Sequence, residues 1–189
     1  MLLIDLDGTL ADFEQGFINT WKKLYPGVPH LPKESRKCFY LHEEYPEEQR
    51  EKVLSVYRTN FYLETPPLPG AVEAIHEMEN LGIDFRICTA PPSIEYAQFE
   101  GLQNQVSGKY WWVKKFLGEQ ILKKIVISGD KTIIRGKYLI DDKPKITGSL
   151  YPAWEHIIFD QPYNKRCKGR RINWDNWKEI ILEEKNANV

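Results

Sequence analysis

Asp5 and Asp7 stand two residues apart directly behind the apolar run Met1-Leu2-Leu3-Ile4, and Gly8 and Thr9 follow them. In an extended segment the side chains at i and i+2 leave on the same side, so both carboxylates crowd one point where a strand ends. Gly8 lets the chain turn there. Two carboxylates in contact repel unless one keeps a proton or a cation sits between them, and both outcomes suit phosphoryl transfer. The plain alternative is a strand running out into a polar loop with its acids in water. Three later segments weigh against it, each behind or beside another short apolar run: Thr89-Ala90-Pro91, Gly129-Asp130-Lys131 and Asp141-Asp142-Lys143. Singly, each has an ordinary meaning: a strand-ending threonine, a loop lysine, a turn before Pro144. Together they bring acids, a hydroxyl and a cation to four strand ends.

The elements that must position these groups follow from hydrophobic patterning. Apolar runs at 1–4, 83–88, 125–127, 138–140 and 156–159 read as buried strands, and amphipathic stretches separate several of them. The fold class is therefore α/β, a Rossmann-like parallel sheet with flanking helices, whose sites gather at the carboxyl ends of strands. Helices are expected over 70–81, introduced by Pro69 and stopped by Gly82, over 109–117, and over 173–184. Nearly eighty residues separate the first two strands, whereas a parallel crossover needs about a dozen. Phe13, Phe17, Trp21 and Leu24 recur at helical steps, as do Val53, Tyr57 and Phe61. Residues 14–67 are accordingly expected to form a small inserted helical cap, with 1–13 and 68–189 as the core domain. The proline-rich stretch 65–70 would be a stiff return hinge.

Composition bounds the function. A chain of 189 residues, 42% hydrophobic and 28% charged, has the mixture of an ordinary globular protein and is long enough for a full core. With 26 basic against 27 acidic residues, the net charge of −1 gives no global field for nucleic acid or anionic lipid, so any attraction to phosphate must be local. The three cysteines, Cys38, Cys88 and Cys167, show no paired spacing, which argues against a disulfide framework or a zinc site and favours a cytoplasmic protein. No apolar stretch approaches the roughly 20 residues needed to cross a bilayer, and no targeting segment is expected.

The DxDGT opening, a threonine after the next strand, a lysine and then paired aspartates resemble, in that order, the haloacid dehalogenase superfamily of phosphohydrolases. The resemblance implies that Asp5 is the nucleophile and Asp7 the acid and base, with Thr89 and Lys131 binding phosphate. The superfamily's dehalogenases lack the second acid. Its presence points to phosphate esters, because an alkoxide leaving group needs a proton and a halide does not. A carboxylate-rich pocket without histidine or cysteine ligands favours Mg²⁺. The resemblance puts Asp5, the backbone carbonyl of Asp7 and Asp142 on the metal, with Asp141 in support. Cys88 reads as a small buried hydrophobe, and none of the four histidines is assigned to catalysis.

Closer resemblance is to the 5'(3')-deoxyribonucleotidases. It is carried by residues 5–17, 67–78, 87–92, 129–132, 139–148, 152–160 and 174–182, nearly the whole chain. It implies a small nucleoside monophosphate as substrate and an aromatic-lined base pocket made by Phe13, Phe39, Tyr40, Leu41 and Tyr57. Bases stack on aromatic faces for roughly 1–3 kcal/mol each without a net positive surface. Tyr57 could equally belong to the core of the cap. The chain departs from the family pattern at Ala90, where serine is expected, and at Gly129, where an arginine holds phosphate. Tyr40 stands for a tryptophan, and residues 92–108 are longer than usual. Whether Lys143 or Lys145 offsets these changes is open at this level, as are base, sugar and ester preference. Two alternatives remain. One is a superfamily phosphatase for another small ester such as a sugar phosphate. The other, motivated by the basic run 165–171, is a nucleic-acid binding or end-processing module, although no stable nucleic-acid complex is expected. The resemblance leaves a homodimer open.

Overall fold

The computed structural model describes residues 1–186; 187–189, at the end of the expected core domain, lie outside the described residues. Six parallel strands form one sheet in the order β3-β2-β1-β4-β5-β6: β1 Leu2–Ile4, β2 Phe85–Thr89, β3 Ile125–Ile127, β4 Tyr138–Asp141, β5 Glu155–Phe159 and β6 Arg171–Ile172. This is the doubly wound order, whose crevice opens where successive strands run off in opposite directions from β1. Ile4 registers with Ile87 on one side and Ile140 on the other. Asp5, Cys88 and Asp141 therefore share the next level, at the carboxyl edge.

β1 is apolar throughout because both of its faces are covered. Leu2 and Ile4 join the larger core cluster, while Leu3 packs with Cys88, Leu139 and Trp154 on the other face. Among the described residues five α-helices accompany the sheet: α1 Phe13–Leu24, α2 Glu47–Tyr57, α3 Ala71–Asn80, α4 Ile94–Leu117 and α5 Trp177–Asn186. Asp12 caps α1 by accepting from the Gln15 amide, and Glu14 near its start and Lys22 and Lys23 near its end suit the helix dipole. Phe17 and Trp21 on α1, Val53 and Val56 on α2, and Phe61 and Tyr62 beyond it belong to the same cluster as Leu2 and Ile4. The helical segment between β1 and α3 thus shares a continuous core with the sheet.

Gly16 is where α1 meets the return segment. A Cβ there would overlap the Thr65 hydroxyl and lie 2.7 Å from Thr65 Cβ. Gly16→Ala should therefore destabilise the protein by about 1–3 kcal/mol in denaturant unfolding.

Several boundaries differ from those read in the sequence. β2 starts two residues later, at Phe85, and runs through Thr89. β6 is absent from the sequence reading: Arg171, the last residue of the basic run 165–171, and Ile172 pair in parallel with β5, and Arg171 bonds Asp160 Oδ1 through Nε at 2.6 Å. α5 begins at Trp177, so Trp174 precedes the helix; its indole donates to Thr9 O at 2.7 Å. The largest difference is α4, which extends back from the expected 109–117 to Ile94, with one break at Gln98, where φ is +58°. Gly101 and Gly108, seven residues apart on one face, let α4 lie close against Tyr57 and Arg58 at one level and Asn60 and Tyr62 at the next.

Candidate active site

Behind β1 the chain folds back on itself: Gly8 N donates to Ala11 O at 2.9 Å, and the amides of Leu10 and Ala11 both donate to Leu6 O. Gly8 has φ +68°, and a Cβ there would meet Asp142 Oδ2 at 2.6 Å and the Tyr163 hydroxyl at 2.9 Å. Only glycine satisfies both the left-handed turn and that close approach. Gln161 holds the Gly8 carbonyl through Nε2 at 2.6 Å, which ties the turn to the chain after β5.

Three carboxylates converge here. One oxygen from each of Asp5, Asp141 and Asp142 lies within 4.8 Å of the others, and all three residues are buried. Strand alternation would turn Asp141 and Asp142 apart, but β4 ends at Asp141, so both reach the same point. Their surroundings differ. Asp141 Oδ2 accepts from Lys131 Nζ at 2.6 Å and Oδ1 from the Lys143 amide at 2.8 Å. Asp142 Oδ2 accepts from the Tyr163 hydroxyl at 2.5 Å, whereas its buried Oδ1 has no hydrogen-bond partner. Asp5 Oδ1 is 2.8 Å from Lys131 Nζ as an ion pair but lacks hydrogen-bond alignment. Burial pushes the Asp5 carboxyl up to about 7, against the pull of Lys131 and with added push from Asp141 and Asp7. Burial, and then the neighbouring Asp141 and Asp5 charges, also hold Asp142 well above the ordinary carboxylate range. Burial disfavours the Lys131 ammonium, yet Asp141 and Asp5 overcome this and raise it.

Asp7 faces elsewhere. Oδ1 accepts from the Tyr62 hydroxyl at 2.5 Å, and Oδ2 is bonded to Lys109 Nζ. Lys109, 1% exposed, also donates to Thr89 Oγ1 at 2.9 Å. Thr89 is wholly buried behind the cleft, whereas Lys131, Ala90 and Gly129 line it. Sequence reasoning read Lys109 only as the start of a helix and gave Tyr62 no role. The signal for Lys109 was the spacing Gly101, Gln105, Gly108, Trp112, a buried face that carries it inward.

A cleft of about 490 Å³ opens over the acids, a size suited to a small organic ligand. Phe13, Phe39, Tyr40, Leu41 and Tyr57 all line it, as do His42 and Tyr96, whose rings lie 4.3 Å apart. Tyr57 also touches Phe13 and Phe17, so it serves core and cleft together. The segment bearing Phe39 and Tyr40 is fixed by Arg36, which is 3% exposed. Its guanidinium pairs with Glu14, bonds Glu44 Oε1 at 2.6 Å, and donates to the carbonyls of Cys38 at 2.7 Å and Phe39 at 3.1 Å. It also lies 5.3 Å from the Tyr163 ring centre. Arg36 and Tyr163 are the other positions that sequence reasoning passed over. Arg36 bonds largely within its own irregular loop and Tyr163 reaches Asp142 21 positions back, so neither shows as a helix or strand repeat.

The family model for "5' nucleotidase, deoxy (Pyrimidine), cytosolic type C protein" matches residues 1–187. The chain belongs to this deoxyribonucleotidase family. The human cytosolic 5'(3')-deoxyribonucleotidase is 37% identical over 198 residues, covering 98% of this chain and 95% of the relative. The mouse mitochondrial 5'(3')-deoxyribonucleotidase is 40% identical over 193 residues, covering 95% and 84%. At the level of fold, the crystal structure of a predicted phosphatase from Clostridium acetobutylicum has a TM-score of 0.56 at 18% identity, covering 96% of this chain and 97% of that one. The chain thus shares its α/β fold with that phosphatase, and its class is phosphoric monoester hydrolase.

Proposed function

We propose that this protein hydrolyses nucleoside monophosphates through an aspartyl-phosphate on Asp5, with the nucleoside held between the acids and the Phe39–Tyr40 wall. The observation that carries this is the convergence of Asp5, Asp141 and Asp142 at the floor of a cleft whose walls are aromatic. Asp5 forms the new O–P bond as the nucleoside oxygen departs with a proton from Asp7. Asp7 then takes a proton from the water that breaks the acyl phosphate, releasing inorganic phosphate and restoring Asp5. Tyr62 and Lys109 hold Asp7 in place through its two oxygens. Residues 14–67, joined by the first turns of α4, serve as the cap.

The donor set fits a hard divalent cation. All three converging ligands are carboxylates, and Asp142 Oδ1 is a buried acceptor with no hydrogen-bond partner. Asp5, Asp142 and the Asp7 carbonyl would hold Mg²⁺, with Asp141 kept in place by Lys131 and the Lys143 amide. When bound, the ion neutralises charge on the phosphoryl oxygens. Chelation is expected to abolish turnover and added Mg²⁺ to restore it. Because the acids repel one another without the ion, Mg²⁺ at 100 times its Kd should also stabilise the fold by about 2.7 kcal/mol in thermal unfolding.

Among the described residues no helix is long and apolar enough to cross a membrane. The deciding experiment is phosphate release from deoxy- and ribonucleoside 5' and 3' monophosphates beside sugar phosphates, with and without Mg²⁺. Nucleotides should be turned over fastest; rates lowest on every nucleotide would overturn the proposal.

A further inference from the structure

The cations around the cleft are nearly all committed. Lys131 pairs with Asp5 and Asp141, Lys109 with Asp7, and Arg36 with Glu14 and Glu44. Lys143 lines the same cleft, yet its ammonium has no carboxylate partner among the described residues. It rests on ring faces, 5.4 Å from the centre of Phe39 and 5.5 Å from that of Tyr40. At a partly exposed site such a cation–π contact is weaker than a charge-assisted hydrogen bond to an anion. The backbone of Lys143 is anchored beside the acids, since its amide donates to Asp141 Oδ1 at 2.8 Å. Only the flexible four-carbon stem is free to swing. Space for an anion exists in the same lining, where a Cβ added to Gly129 would meet nothing within 4 Å and Ala90 offers no polar side chain.

We infer that Lys143 is a substrate-binding residue that exchanges partners: its ammonium leaves the Phe39 and Tyr40 rings to pair with the phosphate of an incoming nucleotide, and the rings it uncovers receive the base. Recognition of the two ends of the substrate is thereby joined in one side chain. An uncharged nucleoside gives the ammonium nothing to move to, so it must compete with Lys143 for the aromatic face. This inference rests on the proposal that a nucleoside monophosphate occupies the cleft.

The test compares wild type, Lys143→Met and Lys143→Arg in Mg²⁺, using deoxynucleoside monophosphate turnover together with inhibition by inorganic phosphate and by the matching free nucleoside. In Lys143→Met, KM for the nucleotide and Ki for phosphate should both rise about ten-fold, by more than kcat falls. Inhibition by the nucleoside should be as strong as in wild type or stronger, because the rings are already bare. Lys143→Arg should recover most of the phosphate affinity. Unchanged KM and phosphate Ki would overturn the inference. So would parallel weakening of phosphate and nucleoside, which would make Lys143 a prop for the aromatic wall. Failure of the underlying proposal reads differently: the wild-type enzyme itself would not turn over nucleotides.

Discussion

Asp5→Asn should leave a folded protein without turnover, with phosphate release lower by roughly 10⁴-fold or more, because an amide cannot form the covalent intermediate. The same change separates catalysis from stability. Burial raises the Asp5 carboxyl to about 7, so the folded chain holds this proton more tightly than the unfolded chain does. In metal-free protein the stability attached to Asp5 is therefore full below about pH 4 and lost as pH climbs through about 7. Asparagine carries no charge to bury, so over that interval the metal-free variant should lose less melting temperature than wild type, the remaining decline coming from the buried Asp142 carboxyl. An Asp5→Asn enzyme that remained active with normal Mg²⁺ dependence would sink the assignment of the nucleophile.

Asp7→Asn should cost about 10²- to 10⁴-fold on nucleotides, whose alkoxide must be protonated as it leaves. On p-nitrophenyl phosphate, with a leaving group stable as an anion, the first step needs no such help and the loss should shrink. Equal losses on both substrates would count against an acid role and suggest instead that Asp7 mainly anchors Lys109 and Tyr62. Both comparisons should be made at saturating Mg²⁺, so that ion affinity does not enter.

What the sequence disclosed about the site follows from how locally each part is encoded. Asp5 and Asp7 share one strand end, and Asp141 and Asp142 are adjacent, so their grouping needed only a correct reading of β1 and β4. Those strands are apolar because both faces are buried, the strongest pattern a short strand can show. β6 has two residues, one of them Arg171, and offers no such pattern. The front of α4 was lost because Gly101, Gly108 and the polar run Gln103-Asn104-Gln105 look like a loop; the glycines are there for close packing against α2 and the turn after it. Lys109 bonds a residue 102 positions away, and Tyr62 one 55 positions away. Spacing can mark the inward face that carries Lys109, but the identity of partners at that reach emerges only when the chain is folded.

Gln105 and Lys109 lie one turn apart on α4, the first bordering the cleft and bonded to the Tyr57 carbonyl, the second gripping Asp7. A helix moves as a rod over so short a span. Any tilt of α4 at Gln105 would therefore also shift the ammonium that grips Asp7, so the rim of the cleft and the acid in its floor are geared to one lever.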